Sequence, residues 1–159
     1  MRYALLISYD GTNYGGWQIQ KNSITVQQKL TEALTSTLGK PVTVTASGRT
    51  DSGVHASAQV CHFDADTAIP PERLADAVIF HLPEYISVLK SAVAPEWFDA
   101  VASAKKKTYL YRVYLARRRQ PLKDRYAVHI KYPVDLERLA SSGKLFEGEH
   151  DFKAYCASG

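Results

Sequence analysis

Apolar residues in the first forty positions follow strand-like and then helix-like spacing. The apolar and aromatic run from Arg2 to Ser8 predicts a strand, which the turn pair Asp10-Gly11 stops. From Thr25 to Gly39 the apolar positions recur on one helix face, and Thr25 with Gln28 has the sequence of a capping box. The pattern predicts a strand, a polar glycine-rich loop and a helix.

The next fifty residues repeat this alternation. Val42 to Ala46 and Gln59 to Phe63 are typical of strands, with the loop Ser47 to Ser57 between them. A helix is predicted from Pro70 to Pro83, and Tyr85 to Val93 is again extended. This order of elements is the split βαβ arrangement of ferredoxin-like domains. We therefore predict an α+β fold, with an antiparallel or mixed sheet that carries its helices on one face.

The remainder of the chain predicts additional elements. Thr108 to Leu115 and Arg125 to Ile130 read as strands, and Asp135 to Leu145 reads as a final helix. Tyr109 and Tyr111 would then share one side of a strand. The tail from Glu149 matches no element. A chain of 159 residues, 45% of them apolar, suits a single domain over residues 1–159.

Composition narrows the class of protein. No run approaches the ~20 apolar residues of a membrane span, and the first residues lack a signal-peptide pattern. We therefore expect a cytoplasmic protein without a membrane segment. Cys61 and Cys156 match neither a disulfide framework nor a metal-ligand spacing, so we expect reduced thiols and no bound metal.

Positive charge is concentrated in one part of the chain, residues 105–125, which we call the basic segment. It contains nine Lys and Arg residues and one acid, a net charge of +8 in a chain whose total is +4. Tyr109, Tyr111 and Tyr114 are interleaved with these cations. The arrangement is typical of a surface that binds nucleic-acid phosphates and stacks bases. Charge alone equally fits an edge strand kept soluble by lysines.

The loop between the second and third predicted strands concentrates chemically reactive groups. Residues 48–55 read Gly-Arg-Thr-Asp-Ser-Gly-Val-His, and the two glycines permit close approach of another backbone. Arg49 can pair with Asp51 and keep that carboxylate ionised, as a carboxylate nucleophile requires. Taken alone, these residues also fit an ordinary aspartate turn with a surface ion pair.

Three blocks of sequence together resemble a known family. They are Tyr9 to Gln18 (YDGTNYGGWQ), Thr25 to Gln27 (TVQ) and Gly48 to Ala56 (GRTDSGVHA). Their order and spacing, with the paired tyrosines of the basic segment, are similar to those of the TruA-type tRNA pseudouridine synthases. The resemblance extends over essentially the whole chain, as far as Phe146 to Phe152.

The resemblance implies an enzyme that cuts the N-glycosidic bond of a uridine in the tRNA anticodon stem-loop and rejoins the base through C5. It implies Asp51 as the catalytic residue and Tyr109 as the tyrosine against the target base, a candidate proton acceptor. Arg49 would pair with the aspartate and fill the space left by the flipped base. Three routes stay open for Asp51: attack at C1′, attack at C6, or removal of a sugar proton. Such an isomerisation requires neither a cofactor nor a metal.

Members of this family continue into a second, related domain and form homodimers that bind tRNA across both subunits. The resemblance therefore implies that residues 1–159 are the half that carries the nucleophile, without that second domain. We expect such a chain to fold but to turn over slowly or not at all by itself.

Two other classes of protein stay open. One is a non-catalytic RNA-binding module on a ferredoxin-like sheet. The other is an aspartate-dependent hydrolase of a small anionic substrate, with Arg49 as its clamp. His55 closes the loop and is expected to orient it, and His62 is expected to be a packed structural histidine.

Overall fold

The computed structural model describes residues 1–156. The chain divides into two compact units, Met1–Thr108 and Tyr109–Gly159. The expectation of one domain over residues 1–159 stays a prediction. No helix within the described range is long and apolar enough to cross a membrane.

The first unit is built on a four-stranded sheet. Its strands are β1 (Arg2–Tyr9), β2 (Thr45–Ala46), β3 (Ala56–Asp64) and β4 (Ile86–Ala94), and its helices are α1 (Val26–Leu38) and α2 (Leu74–Ile79). The strand order is β2-β3-β1-β4 with every neighbouring pair antiparallel. This is the topology of a split βαβ domain, so the predicted ferredoxin-like α+β fold is confirmed.

Alternation along β1 explains which face of the sheet carries the helices. Every second residue of this strand is buried, from Tyr3 to Tyr9. These side chains belong to one core with the apolar faces of both helices. The helix residues in that core are Val26, Leu30, Ala33, Leu34, Leu74, Ala75 and Val78.

Local signals set the ends of α1 as predicted, with one difference. The Thr25 hydroxyl accepts a hydrogen bond from the Gln28 backbone N–H at 3.3 Å, and Gly39 ends the helix at φ +66°. The Gln28 amide, however, donates to Glu32 Oε1 at 2.8 Å. Among the described residues the Gln28 side chain accepts no hydrogen bond from the Thr25 backbone N–H, so the reciprocal arm of the predicted capping box does not form.

Two predicted elements of this unit are shorter in the structure. The strand expected over Val42 to Ala46 contains only the two residues of β2. The helix expected from Pro70 to Pro83 is a 3₁₀ turn, Pro71–Arg73, followed by the six residues of α2. After α2 the backbone tightens into three-residue turns, in which His81 N–H bonds Val78 O, and Pro83 cannot continue a helix.

The second unit contains a two-stranded parallel sheet of β5 (Val113–Leu115) and β6 (Val128–Ile130). Its helices are α3 (Pro121–Asp124) and α4 (Leu136–Gly143), followed by 3₁₀ turns at Lys144–Phe146 and Lys153–Tyr155. The predicted final helix is confirmed, and Asp135 caps it by accepting the Arg138 N–H at 2.9 Å. The expected absence of any element after Glu149 is wrong at the last 3₁₀ turn, and residues 157–159 lie outside the described range.

The strand predicted over Thr108 to Leu115 is wrong in its first five residues. Residues 108–112 have no regular structure, because a strand needs a hydrogen-bonding partner and β6 pairs with only three residues. Tyr109 and Tyr111 therefore do not share a strand face. The Arg125 to Ile130 strand likewise shortens to β6.

Candidate functional site

The loop that joins β2 to β3, residues 47–55, carries Arg49 and Asp51, and we call it the Asp51 loop. Its base is fixed to β3, because Ser47 N–H donates to Val60 O at 2.8 Å and the Gln59 amide donates to Gly48 O at 3.1 Å. Within the loop, Val54 N–H closes a turn on Asp51 O at 3.1 Å. The backbone around Asp51 is therefore held by its own hydrogen bonds.

Tyr9, which is buried at the end of β1, holds the Asp51 loop through hydrogen bonds of its hydroxyl. The Tyr9 hydroxyl donates to Gln59 Oε1 at 3.0 Å, so it accepts from the Thr50 hydroxyl at 2.8 Å. The pKa of Tyr9 is raised, chiefly because burial disfavours the phenolate. The phenol stays protonated and fixes the residue that precedes Asp51.

The glycine-rich segment, residues 14–17, supports the loop from the side. Trp17 N–H donates to Thr50 O at 2.9 Å, and Gly53 N–H donates to Tyr14 O at 3.2 Å. Gly16 has φ +91°, and a side-chain carbon there would lie 2.5 Å from Thr50 O. Only glycine fits at this contact.

The same segment is tied to the first turn of α1. Val26 N–H donates to Gly16 O at 3.2 Å, and Gln27 N–H donates to Trp17 O at 3.1 Å. The first N–H groups of a helix have no partner inside the helix, and here the glycine-rich segment supplies one. The glycine-rich segment therefore joins the three sequence blocks that carry the family resemblance, because it bonds to both α1 and the Asp51 loop.

Arg49 and Asp51 are both exposed. Across residues 1–156 the recorded ion pairs do not include one between them, so the pairing expected from the sequence is wrong for this structure. The physical reason is that two exposed charges in water gain little from pairing. The Asp51 carboxylate is open to a ligand on a loop whose backbone is fixed.

One cation of the basic segment reaches the Asp51 loop within the first unit. A side-chain carbon at Gly48 would lie 3.1 Å from Nζ and 3.4 Å from Cε of Lys107. The end of the Lys107 side chain therefore lies over Gly48, in space that any other residue would fill. This places an ammonium group beside the loop of the candidate catalytic residue.

Tyr109 belongs to the second unit, where its side chain is 72% exposed. The basic segment is divided between the units, with Lys105 to Lys107 in the first and the cations from Arg112 onward in the second. The structure thus brings Asp51, Arg49 and Lys107 to one loop, and it shows Tyr109 as an accessible aromatic ring.

Neither candidate histidine takes a reactive position. His55 Nδ1 accepts the Gly11 N–H at 3.1 Å and lies at the same distance from Asp10 Oδ1; an imidazole nitrogen can serve only one of these contacts at a time. With either contact, His55 joins the turn after β1 to the end of the Asp51 loop, which agrees with an orienting role. His62 is buried, and its Nδ1 accepts the Ala100 N–H at 3.1 Å, as expected of a structural histidine.

Cys61 lies on the opposite face of β3 from His62, in the core beside Leu5. Burial raises the pKa of its thiol to about 12, so it stays protonated and unreactive. Within residues 1–156 no group of three or more His, Cys, Asp or Glu side chains is arranged to hold a metal ion.

The contacts of Gln59 and Lys107 with the Asp51 loop were not predicted from the sequence. Gln59 pairs with the buried Ile7, so it is a polar residue at a position facing the core, and that mismatch was the available signal. The position of Lys107 over Gly48 has no signal in the sequence, because the two residues are distant along the chain.

Fold and loop geometry together indicate an α+β domain of ferredoxin-like topology with an exposed aspartate on a fixed loop. The chain belongs to the tRNA pseudouridine synthase family. A family model described as "tRNA pseudouridine synthase" matches residues 5–101.

Curated relatives agree with this assignment. The chain is 43% identical over 154 residues to the tRNA pseudouridine synthase A of Geotalea uraniireducens (strain Rf4), an alignment that covers 97% of this chain and 63% of that protein. It is 40% identical over 155 residues to the protein of the same name from Thermoanaerobacter sp. (strain X514), with 98% and 64% covered. For Limosilactobacillus fermentum the identity is 44% over 162 residues, with 99% and 62% covered. The chain thus spans somewhat less than two thirds of these relatives.

Proposed function

We propose that this chain carries the catalytic aspartate of an enzyme that isomerises uridine to pseudouridine in tRNA, and that Asp51 is that aspartate. The observation that supports this most directly is that hydrogen bonds join three separate sequence blocks around a loop that presents an exposed carboxylate. Fixed loops on a rigid sheet are where reactive groups are positioned. The family assignment supplies the substrate.

In this reaction the bond from C1′ to N1 breaks and a bond from C1′ to C5 forms. The hydrogen on C5 leaves as a proton and N1 gains one, so the product has the atoms and electrons of the substrate. Asp51 acts as a carboxylate at C1′, at C6 or on a sugar proton, and all three routes need it ionised. Tyr109 lies against the base in this proposal and is a candidate acceptor of the C5 proton.

The target uridine must leave its stack before the sugar can be reached, at a cost of a few kcal/mol. We assign Arg49 to the space that the flipped base leaves, since it is exposed and stands two residues before Asp51 in the same loop. Lys107, which lies over Gly48, would hold a phosphate close to the reacting nucleotide. Other cations of the basic segment would bind the flanking phosphates of the anticodon stem-loop.

We further propose that the active form is a cytoplasmic homodimer that needs neither cofactor nor metal. Because the chain spans about 63% of its relative from Geotalea uraniireducens, the 159 residues by themselves should turn over more slowly than a chain of the relatives' length. Equal activity of the two would contradict this part of the proposal.

Pseudouridine formation on an unmodified tRNA transcript tests the function, with carbodiimide adducts read as stops in primer extension. The assay uses the whole protein that the gene encodes. It compares the unchanged protein with its Asp51→Asn variant and with a control variant, Asp66→Asn, which alters an exposed aspartate outside the loop. We expect stops in the anticodon arm with the unchanged protein and the control, and none with Asp51→Asn.

Other results would replace the proposal. Stops that persist in Asp51→Asn would remove the residue from the chemistry. Salt-sensitive tRNA binding without stops from any form of the whole protein would leave a non-catalytic RNA-binding module. Turnover of a nucleotide or phosphate ester without RNA would favour a hydrolase.

A further inference from the structure

The second unit carries three consecutive arginines in the turn between β5 and α3, residues 116–120, which we call the arginine loop. Arg117 and Arg118 are exposed. Arg119 differs from them, since its Nε donates to Asp124 Oδ2 at 2.8 Å. The charge of Arg119 is thus balanced by a carboxylate at the end of α3.

The Asp124 carboxylate holds the end of the loop. Its other oxygen accepts a hydrogen bond from the Tyr114 hydroxyl, and that hydroxyl in turn accepts the Gln120 N–H at 2.9 Å. The pKa of Asp124 is lowered, chiefly by the Tyr114 hydrogen bond and then by the charge of Arg119. The side chain therefore stays ionised and connects β5, the arginine loop and α3.

The beginning of the loop is held by β6. The His129 ring stacks on Tyr114, with centroids 5.0 Å apart and planes 17° apart. His129 Nε2 lies 2.7 Å from Ala116 O, and Ala116 N–H donates to Ile130 O at 3.3 Å. Both ends of the arginine loop are therefore fixed before any ligand binds.

Arg117 and Arg118 are the charges that this arrangement leaves available. The ion pairs recorded over residues 1–156 involve neither of them. Guanidinium groups suit phosphate oxygens because they offer paired N–H donors. A loop fixed at both ends loses little conformational freedom when these two side chains bind.

We propose that the arginine loop is a docking site for the phosphate backbone of the RNA, with Arg117 and Arg118 as its phosphate ligands and Tyr114 and Arg119 as positioning residues. The proposal rests on the proposed function, because it names a surface for that enzyme's RNA. It also distinguishes the cations of the basic segment that bind RNA from Arg119, which holds the loop in place through Asp124.

The test is tRNA binding by the full chain at increasing salt, with the double variant Arg117→Ala/Arg118→Ala. A charge-matched control, Lys40→Ala/Lys144→Ala, removes two exposed cations elsewhere. Each phosphate contact contributes about 0.7–0.9 to the slope of log affinity against log salt. We expect the arginine variant to have a slope shallower by about 1.5 and an affinity at least roughly tenfold lower at low salt, and the control to change neither by as much.

A third variant, Tyr114→Phe, keeps every charge and removes the hydroxyl that joins Asp124 to Gln120. We expect it to weaken binding while circular dichroism shows the fold retained. Unchanged binding would overturn the positioning role, because net charge alone would then explain the affinity.

The possible results distinguish a failure of the docking site from a failure of the proposed function. If the unchanged protein binds tRNA with a steep salt dependence and the arginine variant matches the control, the docking site is overturned and the function stands. If the unchanged protein does not bind tRNA at all, the proposed function itself is contradicted.

Discussion

Gly16 is the residue whose missing side chain brings the glycine-rich segment against the Asp51 loop. We expect Gly16→Ala to cost about 2 kcal/mol or more in the free energy of unfolding, because it adds left-handed strain to a steric clash. A side-chain carbon at this position meets Thr50 O at 2.5 Å, so pseudouridine formation should fall more than the loss of folded protein explains. Chemical denaturation and the tRNA assay measure the two effects.

Gly39→Ala is the matched control for this substitution. Gly39 also has a positive φ, +66°, but nothing lies within 4 Å of the added carbon. We expect a loss of about 1 kcal/mol with specific activity unchanged. Equal effects of the two variants on activity would show that the contact with Thr50 does not position the loop.

Lys107 offers a second test at the scale of single residues. Because its ammonium lies over Gly48, Lys107→Met should lower kcat/KM for tRNA about tenfold, the equivalent of about 1.4 kcal/mol. Lys106→Met removes the same charge from a neighbouring exposed position and should lower it less than about threefold. Gly48→Ala, which displaces the lysine without changing any charge, should act in the direction of Lys107→Met. Equal effects of the two lysine variants on kcat/KM would show that Lys107 contributes only through the net charge of the segment.

At the scale of elements, Tyr9 connects β1, β3 and the Asp51 loop. Tyr9→Phe leaves Thr50 and Gln59 without their shared partner, so we expect a loss of about 1–2 kcal/mol in stability and a lower kcat with KM retained. Tyr3→Phe is the matched control on the same strand, since the buried Tyr3 hydroxyl has no hydrogen-bond partner in the described structure. We expect the control to be neutral or stabilising. Thermal unfolding and steady-state kinetics on both variants decide whether the hydroxyl of Tyr9 matters.

The contact of Asp124 with Tyr114 and Arg119 gives the second unit a dependence on pH. The folded pKa of Asp124 lies below its ordinary value of 3.8, so its ionised form contributes stability above that value. This contribution is lost as pH falls below about 4 and through the lower folded pKa. We expect Asp124→Asn to remove that part of the acid sensitivity, as measured by tyrosine fluorescence from pH 7 to pH 2. An unchanged acid transition would show that the contact does not stabilise the unit.

The elements that the sequence predicts best are those whose signals are local. The α1 helix has both its cap at Thr25 and its stop at Gly39 within the chain segment itself, so periodicity and capping suffice. The strand expected before Val113 failed because pairing depends on a partner elsewhere in the chain. The same reason explains the site: Asp51 and Arg49 stand in one recognisable block, whereas the contact of Lys107 with Gly48 exists only after folding.

Considering the chain as a whole, the positive charge of the basic segment is divided between the two units. The sequence alone identifies the basic segment as nine cations with one acid. It does not show that a boundary between two units falls within this segment. Three of its lysines belong to the unit that carries Asp51, and the cations from Arg112 onward belong to the unit that carries Tyr109. Nine cations against one acid favour the proposed RNA ligand, which offers many phosphates, over a small anion.

Our main proposal is that Asp51 drives the isomerisation of uridine in tRNA. Its most direct test is the release of tritium from tRNA labelled at C5 of uridine, because a bond from C1′ to C5 cannot form and persist unless the C5 hydrogen leaves. The measurement uses the whole protein that the gene encodes, beside its Asp51→Asn and Asp66→Asn variants. We expect release by the unchanged protein and by Asp66→Asn, and none by Asp51→Asn although that variant still binds tRNA. Release by Asp51→Asn at the rate of the unchanged protein would show that Asp51 does not carry the reaction.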